Sequence, residues 1–428
     1  MQETTSPRAS ARLDSNLIIR IVLWFALAVI TFLVANAALQ LPGRQDQVIV
    51  RLVTDLLIIA GGFFEVWLLT QRGLQNAYRR FQSVLALQFG ALIFQRVYTV
   101  LFVEAAYGPE IWVRFALAGL IIGSVYALIA IGYTLVYGIL FMINFAHGDV
   151  MMLGAFGAFF TFEALNGWIV DPVSKANFLN TYPVIAVILA FAVGMTTSML
   201  AAITLERIAY RPLRAAPRLV PLISAIGSSI FIAESARLMF SSQTRPVRNP
   251  SLLTRGEGFD IFINNSPVRI TYTGIFTLVL AIILLSLLFT TVQRTKLGRA
   301  MRAVAQDKRT AALMGINVDS IISRTFAISG LLAGAAGVTL AIHQGQVVAY
   351  MGFGAGIKAF TSAVLGGIGN IPGAMVGGLV LGIIENVGPA ALAIDFQLKD
   401  VIGFSILVLM LVFRPTGLLG EALSEEKV

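Results

Sequence analysis

Residues 116–159 read ALAGLIIGSVYALIAIGYTLVYGILFMINFAHGDVMMLGAFGAF, an apolar stretch longer than a bilayer requires that still carries Tyr126, Tyr133, Tyr137, Asn144, His147 and Asp149. A membrane anchor needs only lipid-compatible side chains. Ionisable groups in or beside a span are costly and face a bundle interior or a water-filled path. The stretch therefore points to a transporter rather than to an anchored protein.

Composition agrees. Of 428 residues 57% are hydrophobic and 12% charged, with a mean hydropathy of +0.84, which describes a polytopic helical membrane protein. About 20 apolar residues cross the hydrocarbon layer as a helix; many such runs are present, and none alternates as a barrel strand would. The fold class is all-α. With no cysteine and two histidines, disulfides, iron-sulfur clusters and thiol catalysis are excluded and little material remains for a zinc site. The net charge of +9 sits in short loops between apolar runs, where basic residues set topology rather than bind nucleic acid.

After a polar tail, apolar runs lie at 17–39, 48–69, 84–103, 115–137, 140–162, 184–205, 222–240, 275–292 and 322–343. The first is too long for a signal-peptide core. Within 357–412, Ile371, Pro372 and Gly373 interrupt a glycine-rich segment. That break predicts two half-length or unequal helices and then a final span, about 10–11 spans in all. Arg207, Arg211, Arg214 and Arg218 form one basic patch, and Arg294, Lys296, Arg299, Arg302, Lys308 and Arg309 another. Two spans separate them, so both are expected on the cytoplasmic side, with residues 241–271 outside and the N-terminus inside. Arg114 is the charge out of step.

The character of the chain changes near residue 110. The first part has anchor-like spans, in which Glu65 is expected to pair with Arg96. The rest is dense in small residues, including Gly330, Gly334, Gly337, Gly366, Gly367, Gly369, Gly373, Gly377, Gly378 and Gly382. Spacings of three and four build faces for close helix packing, and also faces along which helices slide.

Residues 296–320, KLGRAMRAVAQDKRTAALMGINVDS, are amphipathic. Met301, Val304, Ala305, Ala312, Leu313 and Met314 supply apolar faces, while Arg299, Arg302 and Gln306 lie on another side. Gly315, Ile316 and Asn317 stop the helix before the next span. An interfacial helix has a similar pattern; the alternative is a compact helix that docks in a partner's groove.

Four motifs in order carry a resemblance: GSVYALIAIGYTLVYGILFMINFAHGD, ERIAYRPLRAAPRLVPLISAIGSSIF, GRAMRAVAQDKRTAALMGIN and KAFTSAVLGGIGNIPGAMVGGLVLGIIE, followed by RPTGLLG near the C-terminus. Over about residues 112–420 the chain resembles the LivH-type permeases of branched-chain amino acid ABC importers. The resemblance implies a permease domain over 111–428, preceded by a tail and about three accessory spans over 1–110. It implies as partners a second related permease, two cytoplasmic ABC ATPase subunits and a periplasmic solute-binding protein, in the bilayer of a bacterial inner membrane. This chain would bind no cofactor and would not be an enzyme. ATP and magnesium belong to the ATPase subunits, and no phosphate-cradling glycine loop followed by Lys and Ser or Thr occurs here. Residues Leu297 and Asn317 bound the segment similar to the family's ATPase-coupling loop; Gly298, Arg299, Ala300, Arg302, Ala303, Asp307, Ala311 and Gly315 carry the match.

Within the pathway region, Asn144 and His147 are expected on one helical face, with Gly148 at a turn and Asp149 capping a helix that begins at Val150. Tyr126, Tyr133 and Tyr137, spaced seven and four apart, share a face and are candidates to line the pathway. Gly369, Pro372 and Glu385 are the candidates at the helix break. His343, Gln344 and Gln346 are expected in solvent at the outer end. The solute is read as a branched-chain amino acid, with urea, short amides or other amino acids as the alternative in the same importer class. A self-sufficient carrier or channel, or a structural scaffold, are the readings from other classes.

Overall fold

The computed structural model describes residues 107–420 except 172–175, 215, 218 and 415, together with single positions between 93 and 101. The three expected N-terminal spans and Glu65 lie outside the described residues. By internal contact the chain forms two units, Met1–Ala106 with Ala390–Asp395, and Tyr107–Pro389 with Phe396–Val428.

Eight helices among the described residues are long and apolar enough to cross a membrane. The order begins with α1 (Pro109–Leu140), α2 (His147–Gly167), the pair β1 (Ile169–Asp171) and β2 (Ala176–Asn177), α3 (Phe178–Thr181) and α4 (Pro183–Leu205). A π turn (Glu206–Tyr210) and a 3-10 turn (Arg211–Leu213) extend α4, and α5 (Leu219–Phe240) follows. Next come β3 (Arg245–Pro246), β4 (Gly258–Ile263), β5 (Ser266–Thr271), α6 (Tyr272–Arg294), α7 (Lys296–Gln306), α8 (Lys308–Leu313) and α9 (Val318–Gln344). The chain closes with β6 (Gln346–Val347), α10 (Met351–Gly366), α11 (Ile371–Leu392) and α12 (Lys399–Phe413). The core is built on α9, α1 and α2, whereas α4, α5, α6 and α12 turn most of their apolar surface outward.

Small residues set the closest contacts, because helices in lipid gain from backbone approach rather than from hydrophobic burial. Gly119 and Gly123 of α1 face Gly382 and Gly378 of α11, and a Cβ on Gly378 would sit 2.5 Å from Ala127 Cα. Gly330 and Gly334 of α9 meet α4 at Met199 and Met195 in the same way. Methyl groups at these positions would force the helices apart.

The C-terminal break divides unequal helices, as the sequence suggests, but it lies at residues 367–370 rather than at 371–373. Gly367 and Gly369 take φ of 107° and 97°, a backbone that only glycine adopts without strain. Pro372 falls in the first turn of α11, where its missing N–H costs nothing.

The segment between α5 and α6 folds partly as strand, which the helical reading missed. β4 and β5 pair antiparallel from Gly258 opposite Thr271 to Ile263 opposite Ser266. Asn264 and Asn265, with φ of 48° and 61°, make the two-residue turn. Arg114 donates to the Pro267 carbonyl of this hairpin, which accounts for a basic residue at this end of α1. The two basic patches share the opposite end, where Arg214 of the first meets Asp319 at the start of α9.

Candidate functional site

Between α1 and α2 the chain doubles back into the bundle. Phe141 ends α1 in the left-handed conformation, residues 141–146 are non-helical, and α2 starts at His147 with no side-chain cap. The cap expected from Asp149 is therefore not made: the helix begins three residues earlier, and Asp149 accepts a hydrogen bond from Ser229 of α5. Nor do Asn144 and His147 share a helical face, since Asn144 precedes the helix. Both are buried nonetheless.

Three independent helices fix the depth of this start. His147 packs against Gly132, eight residues before the end of α1 or about 12 Å along it. Ser329 of α9, which donates to the Gly132 carbonyl at 2.9 Å, lies about 16 Å from the start of its helix. Ser229 lies about 15 Å into α5. In an apolar layer about 30 Å thick, α2 thus begins deep inside the membrane.

The start of α10 meets it there. A Cβ on Gly352 would come within 2.7 Å of both the Gly148 carbonyl oxygen and an Asp149 carboxylate oxygen. Gly148 is therefore an approach point for α10 and not a turn. Two helix N-termini, each the positive end of a dipole, converge on one buried carboxylate, which offsets them. The Tyr133 ring stands edge-on to His147 at 4.9 Å. Among the described residues, His147 Nε2, Asp149 Oδ1 and Thr134 Oγ1 are buried without partners. Tyr133 and Tyr137 also line a narrow crevice with Ile143, Phe360, Ala363 and Ile368.

Asn144 ties this cluster to the basic end, accepting from the Tyr210 hydroxyl at 2.6 Å. Tyr210 closes the π turn, and Glu206 opens it; both are fully buried. Glu206 accepts from Ser323 at 2.6 Å and is bridged by Arg214, which also reaches Asp319 at 2.6 Å. Arg211 joins the same Asp319. One hydrogen-bonded chain thus runs from the first turns of α9 through the π turn to the start of α2.

A second polar cluster lies between α1, α10, α11 and α12. Lys358 Nζ is 3.1 Å from Glu385 and 2.6 Å from Asp400, and Tyr126 donates to the same Glu385 oxygen at 3.1 Å. Of the tyrosine face read from the sequence, Tyr126 belongs here, Tyr133 to the first cluster, and Tyr137 stacks edge-on to Phe141 at 6.1 Å. A groove of about 490 Å³ between α2, α4 and the end of α5 is apolar, and none of these ionisable side chains lines it. Among the described residues no three His, Asp or Glu side chains converge as metal ligands would.

At the basic end, residues 296–320 form two short helices. Thr295 caps α7 through Gly298 N–H at 3.1 Å, and Asp307 caps α8 through the N–H groups of Arg309 and Thr310 at 2.8 and 3.2 Å. The Thr310 hydroxyl and then these N–H groups hold the Asp307 carboxyl below the ordinary aspartate range. Burial, with Arg214 nearby, pushes the Lys308 ammonium down. Gly298, Met301, Val304 and Ala311 are buried, with Leu297, Ala300, Ala303, Ala305 and Ile316 packed against them. Arg302 donates to the Val292 carbonyl, bracing the end of α6. Arg299, Gln306, Ala312, Gly315 and Asn317 are exposed, Asn317 capping α9 through Ser320 N–H at 3.0 Å. Leu313 and Met314 project into the open, 87% and 79% exposed.

Residues 115–411 match the family model described as the permease component of branched-chain amino acid transport systems. The chain belongs to this family. It is 44% identical over 315 residues to the high-affinity branched-chain amino acid transport permease BraD of Pseudomonas aeruginosa, covering 73% of this chain and 98% of that one. The corresponding LivH proteins of Escherichia coli K12 and Salmonella typhimurium are each 43% identical, over 309 and 306 residues, with 71% of this chain and 94% of theirs covered. No solved structure matches the chain significantly. The protein is thus a multi-pass membrane protein of the branched-chain permease family.

Sequence reasoning named Asn144, His147, Asp149 and Glu385 but missed their partners. Ser229, Ser329 and Tyr210 are ordinary residues of apolar helices until the helices cross. Glu206 next to a basic patch was a usable signal, since a carboxylate at a span end calls for a cation. His343 is partly buried with Nδ1 unpartnered, not solvated as expected; Gln346 is exposed in β6.

Proposed function

We propose that this chain is a transmembrane subunit of an ATP-driven importer of branched-chain amino acids in a bacterial inner membrane. It pairs with a second permease, docks two ATPase subunits at the basic, cytoplasmic end and receives solute from a periplasmic binding protein at the other. Family membership supports the class of solute. The observation that carries the mechanism is the pair Leu313 and Met314, two large apolar side chains left open on a segment whose other large apolar residues are packed. Such a knob suits insertion into a groove of a cytoplasmic partner. Motion of the docked segment reaches α9 at once through Asn317, and reaches the paired starts of α2 and α10 through Asp319, Arg214, the π turn and Asn144. Rocking of these glycine-packed helices then opens the path alternately to either side.

The test is purification of the tagged chain from native membranes in mild detergent. ATPase subunits should co-purify with the wild type and be lost from the Leu313→Glu/Met314→Glu double variant. Both side chains are exposed, so the variant should still extract and elute as the wild type does. Retention of the ATPases by the double variant would remove the docking role from α8.

A further inference from the structure

We propose that Glu234, Arg237 and Tyr350 form a solute-contact site that holds the ammonium and carboxylate of an amino acid on its way through the membrane. The proposal rests on the importer reading above and deepens it by naming residues and chemistry. Glu234 accepts from Arg237 Nε at 2.7 Å and from the Tyr350 hydroxyl at 3.0 Å. All three are on the surface of the chain, at 42%, 47% and 44% exposure. Glu234 lies 15 residues past the start of α5, about 22 Å along the helix and about 9 Å short of its far end. An apolar layer about 30 Å thick centred on α5 contains it.

An outward-facing ion pair at that depth does not sit against lipid, where each charge would be expensive. The rest of the exposed face of α5 is apolar, with Ile230, Phe231 and Leu238 on it. Around Glu234 and Arg237, where α5 departs from this apolar pattern, the proposed site has water or a polar neighbour, as at a wall of the pathway. Its position supports the same conclusion. Tyr350 immediately precedes α10, whose start reaches back into the bundle beside Asp149 and Ser229. The pair lies about 7 Å further from the basic end than Ser229, directly on the far side of the junction that must move.

The chemistry fits a zwitterion. A carboxylate accepts an ammonium, a guanidinium fork takes a carboxylate in two parallel bonds, and an aromatic face receives an apolar side chain. Phe231, three residues before Glu234, and Phe353, three residues after Tyr350, are the aromatic candidates for that face, 72% and 61% exposed. Glu234 and Arg237 satisfy each other when the site is empty. Solute binding exchanges one neutral pairing for another, so the hold is weak enough for release, as conduction requires.

The chain has no cysteine, so single cysteines report accessibility directly. In the complete importer in proteoliposomes, Glu234→Cys, Phe353→Cys and Ile188→Cys are exposed to an anionic, membrane-impermeant methanethiosulfonate reagent, and modification of this chain is read by mass spectrometry. Ile188 lies on the open face of α4, 61% exposed, and serves as the lipid-facing control. Positions 234 and 353 should react at least about tenfold faster than 188, and saturating leucine-loaded binding protein with ATP should slow them. Equal, slow labelling at all three positions would place the face in lipid and overturn the proposal. Phe353→Cys leaves the ion pair intact, so the test survives misassembly of the Glu234 variant. In parallel, Arg237→Gln and Tyr350→Phe should cut leucine uptake about tenfold while ATPase stimulation by loaded binding protein persists; unchanged uptake would also overturn the proposal. Rapid labelling in a wild-type background that imports no leucine would instead sink the solute assignment alone.

Discussion

At the residue scale the buried junction is held by few bonds, so single atoms matter. Tyr210→Phe removes one hydroxyl and leaves Asn144 Oδ1 buried without its donor, a loss of about 1–3 kcal/mol. A lower thermal midpoint of the detergent-solubilised chain, with leucine uptake reduced, is the expected result. Gly148 sets a harder limit because a side chain there meets the Gly352 carbonyl and Gly356 Cα, whereas Gly138 of α1 has open space around it. Gly148→Val should abolish uptake and Gly138→Val should not, both measured in cells at matched membrane levels. His147, Asp149 and Glu385 were legible in the sequence as polar groups in apolar surroundings. What each one touches was not, since Ser229, Ser329 and Lys358 reach them only through helix crossings that no local pattern encodes.

At the element scale the sequence was most informative where periodicity and turn chemistry are strong. Spans after residue 110, the amphipathic segment and the broken C-terminal region were all readable from apolar runs, glycine and proline. The start of α2 was misplaced because Asp149 beside Gly148 imitates a cap, while tertiary contact with Ser229 and α10 decides the outcome. The β4–β5 hairpin was hidden by the hydropathy of its neighbours, although paired asparagines between two short apolar runs were a signal for it. Arg302 is a further lesson: it braces the last carbonyls of α6, so reversing its charge breaks the joint as well as any docking contact. Asp307 makes a cleaner probe. Its carboxyl is held below the usual range by Thr310 and Arg309, so the cap is fully present above about pH 4 and is lost only as pH falls through the lowered value. Hydrogen exchange of residues 308–314 should be constant from pH 5 to 8 after correction for intrinsic rates; Asp307→Ala should be faster throughout that range.

At the scale of the whole molecule, the fold joins the exposed Leu313 and Met314 pair, a hydrogen-bonded linkage and the paired starts of α2 and α10 in one connected structure. In the importer proposed above, nucleotide chemistry comes from partner subunits and import depends on it. The same dependence separates an importer subunit from a self-sufficient carrier, which would work alone. The most direct measurement is uptake of radiolabelled leucine by proteoliposomes containing this chain with its second permease, ATPase subunits and binding protein, with and without ATP, set beside vesicles containing this chain alone. Uptake should require the full assembly and ATP. Leucine entry through the chain alone, undiminished without ATP, would contradict the importer reading.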